Sequence, residues 1–144
     1  MESLRGRTAL VTGATGGIGR ELVRALLHAD ARVMAADIDD FGLRRLEETI
    51  AAEGLGQRLV SRHLDISDQS ACAVSVEAAH ESFGALNILI NNGALGMGAI
   101  RDDHMTNLVV QQNVALHASV LASVPHRPIS TRRDFARCSK IRAP

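Results

Sequence analysis

The chain of 144 residues has no Trp and no Tyr, and its only aromatic residues are three Phe. Its core must therefore be built from aliphatic side chains. Cysteine is equally scarce, because Cys72 and Cys138 are the only two and form no CxxC pair. This argues against a disulfide framework or a zinc site. The six His show no HxxxH or HExxH spacing, so no metal site is predicted.

Long apolar runs are also missing, since none approaches the roughly 20 residues of a membrane span. The charged and polar segment Met1–Thr8 does not have the character of a secretory signal. We therefore expect a cytoplasmic protein with no membrane partner.

The net charge is zero overall but is unevenly distributed. Through Leu116 there are ten Arg against fifteen Asp and Glu, which gives −5. From His117 onward five Arg and one Lys against one Asp give +5. A basic tail can bind nucleic acid. No nucleic-acid-binding motif accompanies it, so a composition change without function is favoured and no nucleic-acid partner is expected.

Hydrophobic patterning predicts alternating strands and helices. Such alternation implies an α/β fold, a Rossmann-type doubly wound parallel sheet. The continuous apolar run at Ile88–Ile90 suits a parallel strand covered on both faces. Ser67 is predicted to be the N-cap of the third helix. The predicted strands are 8–12, 32–37, 59–64 and 86–90; the predicted helices begin near Ile18, cover 41–53 and 67–82, and start again near Asp103.

The strongest motif is the segment Thr12–Gly19, TGATGGIG, which follows a strand and opens a helix. Gly13 permits a tight turn, Gly17 lets backbone approach a pyrophosphate, and Gly19 allows close packing of helix on sheet. The helix N-terminus then offers N–H groups and a positive dipole end to phosphates. A glycine-rich turn without a ligand is the less favoured alternative.

Asp37 ends the second predicted strand, 18 residues after Gly19. An acid at this distance hydrogen-bonds the adenosine ribose hydroxyls of a dinucleotide and repels a 2′-phosphate. Thr15, Gly16 and Ile38 supply no basic side chain for that phosphate. NAD is therefore favoured over NADP. For Asp37 alone, a solvated acid at a strand end is the alternative.

From about residue 6 to 116 the chain resembles the N-terminal, cofactor-binding half of the short-chain dehydrogenase/reductase family. TGxxxGIG is that family's own glycine pattern. Leu64–Ser67 looks like its segment after the third strand, where an Asp meets adenine, and Asn91–Ala94 sits where the family has Asn-Asn-Ala-Gly, with the last two residues exchanged. The resemblance implies cofactor contacts from Gly13, Thr15, Gly16, Gly17, Ile18, Gly19, Asp37, Asp65, Ile66, Asn91, Gly93 and Ala94.

The resemblance also implies hydride transfer between a nicotinamide cofactor and an alcohol or carbonyl. In the family a tyrosine is the acid/base, a lysine four residues later lowers its pKa, and a serine polarises the carbonyl. This chain has no Tyr and one lysine, Lys140, so YxxxK is absent. Asn113, similar to the Asn that holds a relay water in the family, is the only catalytic position identified. We leave open whether the chain is an enzyme.

We expect residues 1–116 to be an NAD(P)-binding Rossmann domain of about four strands, against about seven in the family. Residues 117–144 read as a divergent, irregular basic tail, the product of a shifted reading frame, an alternative exon or a genuine divergent terminus. Leu86–Ile90 would then be an apolar sheet edge prone to aggregation. The family usually forms homo-oligomers, but its pairing helices are incomplete here.

We therefore expect an oxidoreductase chain that is truncated and inactive by itself, and that acts on a small-molecule substrate only in a complete version. The alternatives are a non-catalytic dinucleotide-binding module and a non-functional fragment.

Overall fold

The computed structural model describes residues 3–93, in which strands and helices alternate. The predicted helix near Asp103 and the predicted tail lie outside the described residues. The elements are β1 (Thr8–Thr12), α1 (Gly17–His28), β2 (Arg32–Asp37), α2 (Asp40–Ala52), a short 3₁₀ helix (Gly56–Arg58), β3 (Leu59–His63), α3 (Gln69–Phe83) and β4 (Ile88–Ile90).

The four described strands form one parallel sheet in the order β3-β2-β1-β4. In this register Ala9 of β1 pairs with Val33 of β2 on one side and with Ile88 of β4 on the other. The chain thus moves outward from β1 to β3 and then returns across β1. Beyond the carboxyl ends of β1 and β4, this reversal leaves the crevice where doubly wound sheets bind ligands. The predicted α/β doubly wound parallel sheet is confirmed.

Successive side chains of the central strands enter two separate cores. Val11 and Val33 pack with residues of α1 and α2, whereas Leu10 and Met34 pack with residues of α3. All four side chains are buried, and burial of each stabilises the fold by about 1.5–3 kcal/mol. Both faces of the sheet are therefore covered, and this explains why its central strands are apolar between their first and last residues.

Aspartates cap two of the three described α-helices. Oδ1 of Asp39 accepts the N–H of Gly42 at the start of α2, and Asp68 accepts two N–H groups in the first turn of α3. The prediction that Ser67 is the N-cap of this helix is therefore wrong. Its N–H and hydroxyl both donate to Asp65 Oδ1 instead, at 2.8 and 2.6 Å, so Ser67 belongs to the turn before the helix.

The fourth strand begins two residues later than predicted. Asn87 precedes it and pairs twice with the start of β1, because its N–H donates to Thr8 O and its side-chain Oδ1 accepts the Thr8 N–H, both at 2.9 Å. At this end of the sheet the Asn87 side-chain oxygen thus accepts the hydrogen bond that a backbone carbonyl accepts elsewhere between paired strands. Of the helices in residues 3–93, none combines the length and apolar character needed to cross a bilayer.

Candidate functional site

The loop between β1 and α1 lies at the carboxyl end of the sheet and requires glycine at its first position. Gly13 has a φ of +62°, in the left-handed region that only glycine enters readily. A Cβ atom at Gly13 would also lie 2.8 Å from Cα of Gly93. The tight turn and the contact with the chain after β4 therefore both require that residue 13 has no side chain.

Gly17 and Gly19, later in the motif, face different surroundings. A Cβ atom at Gly19 would overlap the carbonyl oxygen of Gly13 and lie 2.9 Å from Cα of Ala14. The first turn of α1 thus packs directly on the loop. At Gly17, by contrast, an added Cβ would meet nothing within 4 Å. The side of α1 at Gly17 is open to a ligand.

The start of α1 is well suited to an anion. Its N-cap is Gly16, no side chain caps it, and its first turn carries no acid. The other two described α-helices are both capped by Asp. The first N–H groups of a helix have no partner within the helix and lie at the positive end of its dipole. Phosphate groups bind well at such helix N-termini.

The carboxylate at the end of β2 is joined to the glycine loop. Oδ2 of Asp37 accepts both the N–H of Thr15 at 2.9 Å and its hydroxyl at 2.8 Å. Oδ1 of Asp37 accepts the N–H of Asp39 at 3.1 Å. A backbone bond from Ala14 N to Ala36 O runs alongside. Two predicted site residues, 22 positions apart in the chain, are thus brought into direct contact.

Thr12 and Asn92 join the ends of β1 and β4, a pair that the sequence did not single out. Oγ1 of buried Thr12 accepts the N–H groups of Asn92 and Gly93 at 3.2 and 3.0 Å. The Asn92 side-chain amide donates to the carbonyl oxygens of Thr12 and Gly13 at 3.3 and 3.0 Å. A hydroxyl at the end of an apolar strand needs a partner when buried, and that signal could have identified Thr12.

The remaining predicted residues are not all gathered at one point. A Cβ on Gly93 would lie 3.2 Å from Cδ1 of Ile66, so Ile66 borders the crevice. Ile18 is 72% exposed beside the uncapped start of α1, and Asn91 is exposed directly after β4. The predicted residues Ala94 and Asn113 lie outside the described part of the chain.

Asp65 lies in a turn of its own after β3. The hydroxyl of Ser67, and then its backbone N–H, hold the pKa of the Asp65 carboxyl below the ordinary value of 3.8. Hydrogen bonds to the charged form of an acid have this effect. Asp65 is therefore an ionised, half-buried acceptor next to Ile66.

A groove of about 480 Å³ runs between α1 and α2 and borders this site. It shares Thr15 and Gly17 with the predicted residues, whereas Asp37, Ile66 and Gly93 do not line it. Its other lining includes Arg20, Glu21, Arg24 and Arg45. The crevice is formed by the backbone at the carboxyl ends of the strands, and we assign the candidate site to it. The groove between α1 and α2 lies beside this crevice.

Among residues 3–93, no three His, Cys, Asp or Glu side chains come together as a possible metal site. Cys72 lies on the buried face of α3, fully enclosed in the core. Burial, and then the charges of Asp68 and Asp65, raise the pKa of its thiol. These features suit a structural cysteine rather than a nucleophile.

Comparison with known proteins places the chain among dehydrogenases. The family described as short chain dehydrogenase matches residues 7–124. The chain is similar to 2,3-dihydroxy-2,3-dihydro-p-cumate dehydrogenase of Pseudomonas putida, with 40% identity over 98 residues, 68% of this chain and 37% of that one. It is also similar to 3beta-hydroxysteroid dehydrogenase 2 of Eggerthella lenta, with 33% identity over 64% of this chain and 35% of that one.

A solved structure with the same arrangement is a short chain dehydrogenase from Mycobacterium smegmatis. It matches with a TM-score of 0.74 and 26% identity, over 85% of this chain and 55% of that one. The chain thus spans between about a third and about a half of the length of these relatives.

Proposed function

The chain belongs to the short chain dehydrogenase family, and on this basis we propose that it is the NAD-binding part of an oxidoreductase that transfers hydride between NAD and an alcohol or carbonyl compound. In this proposal residues 1–116 form the dinucleotide-binding domain and residues 117–144 a basic tail. The protein acts in the cytoplasm, and a complete version forms homo-oligomers.

The observation that carries the proposal is the position of Asp37 against the glycine loop. Its carboxylate contacts Thr15 directly, two residues before the uncapped start of α1. A carboxylate here can accept hydrogen bonds from the ribose hydroxyls while the start of α1 binds the pyrophosphate. Such a carboxylate repels a 2′-phosphate, and this supports NAD over NADP. Arg20 and Arg45 line the neighbouring groove, and a positive side chain can bind a 2′-phosphate. NADP is therefore the ligand to compare with NAD.

Each part of the cofactor is assigned to a different part of the crevice. The N–H groups of α1 and the open face of Gly17 receive the pyrophosphate, and Asp37 the adenosine ribose. Asp65 and Ile66 lie along the adenine. Asn91 and Gly93 follow β4 and are assigned to the nicotinamide half, and Ala94, outside the described residues, is assigned to it from the family resemblance alone. When bound, NAD supplies the carbon that accepts or donates hydride.

We further propose that these 144 residues bind NAD without catalysing the transfer. The sequence has no Tyr and only one lysine, Lys140, so the hydroxyl acid/base that the family resemblance implies is not among them. A positioned group of suitable pKa is needed for proton transfer in such chemistry. A binding module without turnover is therefore the second candidate for the chain as it stands.

Calorimetric titration of the full chain with NAD and with NADP tests the proposal. We expect saturable NAD binding that is tighter than NADP binding and weakens at least about tenfold in Asp37→Ala. Glu48→Ala, on the exposed surface of α2, is the matched control. Tighter NADP binding would overturn the cofactor assignment. No binding to a folded chain would overturn the site itself.

An absorbance assay for NADH, run with panels of secondary alcohols and carbonyls, tests the catalytic part. The proposal predicts no turnover by the chain alone. Hydride transfer by the chain would show that a group other than tyrosine serves as the acid/base. Tight NAD binding without turnover is the result expected for these 144 residues, and an unfolded spectrum would point to the non-functional fragment.

A further inference from the structure

We propose that Thr15 is the positioning residue that fixes the orientation of the Asp37 carboxylate and thereby sets the preference for NAD over NADP. The inference rests on the proposed NAD site and deepens it. It assigns the specificity of that site to a contact within the protein, present before any cofactor arrives.

Three donors already hold the Asp37 carboxylate in the free protein. Oδ2 accepts two of them, the N–H and the hydroxyl of Thr15, and Oδ1 accepts the N–H of Asp39. A carboxylate offers about four acceptor positions on its two oxygens. The spare capacity therefore lies on Oδ1, which is the oxygen left for a ribose hydroxyl.

The Thr15 side chain is itself held in place by the first turn of α2. A Cβ atom at Gly42 would lie 2.8 Å from both Cβ and Cγ2 of Thr15, so the threonine methyl packs against glycine backbone. The same Gly42 donates its N–H to the cap Asp39. A β-branched residue has restricted χ1 freedom, and this contact restricts it further. The Thr15 hydroxyl is thus directed at Asp37 by packing as well as by hydrogen bonding.

Loss of the hydroxyl should affect NAD more than NADP. Hydrogen bonds to an ionised group are among the strong ones, and an ordered carboxylate does not lose side-chain freedom when it meets the ribose. Without the Thr15 hydroxyl, the Asp37 carboxylate is more mobile. NAD must then order it on binding, and this lowers the affinity for NAD. NADP gains little from Asp37 in either state, because its 2′-phosphate carries charge of the same sign.

The test compares Thr15→Val and Thr15→Ser in the full chain by calorimetry with NAD and with NADP. Valine keeps the shape and the backbone N–H but removes the hydroxyl, whereas serine keeps the hydroxyl and removes the methyl. We expect T15V to weaken NAD binding about five- to tenfold, with a smaller change for NADP, so that the ratio of the two Kd values moves toward one. T15S should stay within about twofold of the wild type in that ratio.

Gly42→Ala provides an independent variant that leaves Thr15 and Asp37 in the sequence. Its methyl would overlap Oδ2 of Asp39 as well as the Thr15 side chain. Because both residues donate hydrogen bonds to the Asp37 carboxylate, we expect the NAD preference to fall as in T15V. Adding G42A to T15V should then lower the preference less than the sum of the two single effects, because both changes loosen the same carboxylate. A thermal melt of each variant checks folding, and Thr15→Ala replaces T15V if the valine variant does not fold.

The outcomes separate this inference from the proposed function. If T15V keeps the wild-type NAD preference, or weakens both dinucleotides equally, Thr15 does not set specificity and the inference is overturned while the NAD site stands. If the folded wild type binds neither dinucleotide, the proposed function fails, and this inference fails with it.

Discussion

Gly13 and Gly93 approach each other so closely that a Cβ atom on Gly13 would lie 2.8 Å from Cα and 2.9 Å from N of Gly93. The contact joins the loop after β1 to the chain after β4, 80 positions away in the sequence. It closes the crevice at the point where the proposed cofactor passes from one half of the sheet to the other.

Gly13→Ala should destabilise the fold more than a left-handed glycine alone would explain. The left-handed φ costs a non-glycine residue about 1–2 kcal/mol, and the backbone overlap adds about 1–3 kcal/mol. Gly54→Ala is the matched control, because Gly54 has a φ of +76° and open space around it. Urea unfolding of both variants measures the difference. Equal losses would mean that the Gly13–Gly93 contact does not matter for stability.

Gly17→Ala and Gly19→Ala should separate cofactor binding from folding. An alanine at Gly17 meets open space and gains helix propensity, so stability should hold or rise by up to about 1 kcal/mol. NAD binding should nevertheless fall more than about tenfold, because the methyl occupies the approach to the pyrophosphate. Gly19→Ala should lower the melting temperature and binding together. Unchanged NAD affinity in G17A would contradict the assignment of the pyrophosphate to this helix start.

Thr12→Val should loosen the joint between β1 and β4. The change leaves the half-buried N–H of Gly93 without its acceptor, at a cost of about 1–3 kcal/mol, whereas the N–H of Asn92 keeps only the carbonyl oxygen of Ile90. Thr12→Ser keeps the hydroxyl and serves as the control. Amide hydrogen exchange at Asn92 and Gly93 should quicken in the valine variant alone. Equal exchange in both variants would show that the hydroxyl does not hold β4.

Ser67→Ala should raise the pKa of Asp65 toward its ordinary value of 3.8. Because the folded pKa lies below the unfolded one, this carboxylate stabilises the fold fully above about pH 4, and the contribution is lost as the pH falls through the folded pKa. S67A should therefore be less stable than the wild type at pH 7, with the difference shrinking toward pH 2. Carbon NMR titration of the Asp65 carboxyl provides the measurement. Ser67→Thr, which keeps the hydroxyl, should titrate as the wild type does.

Much of the fold follows from local patterns in the sequence. The apolar runs at 8–12 and 32–37 predicted β1 and β2 with the bounds that the structure shows, because strands covered on both faces can hold few polar side chains. The start of α3 was harder to predict. Ser67 and Asp68 are both good caps, and the choice depends on Asp65, which takes the serine's donors.

The candidate site could be predicted in its residues but not in its contacts. The glycine spacing and the acid at the end of β2 predict Gly13 and Asp37 as site residues without any structure. The bonds from Thr15 to Asp37, and from Asn92 to Thr12, depend on the strand order β3-β2-β1-β4. No local periodicity encodes that order. Contacts between distant segments are therefore where the structure adds most to the sequence.

The central place of β1 has a consequence for the order in which the protein assembles. Its partner β2 follows after one helix, whereas its other partner β4 follows only after two more helices and β3. Closing the longer loop costs more chain entropy and slows folding. We expect β1, β2 and the helices on their shared face to form an early nucleus during synthesis. The crevice, which needs Asn92 and Gly93 against the glycine loop, is then completed only when β4 arrives.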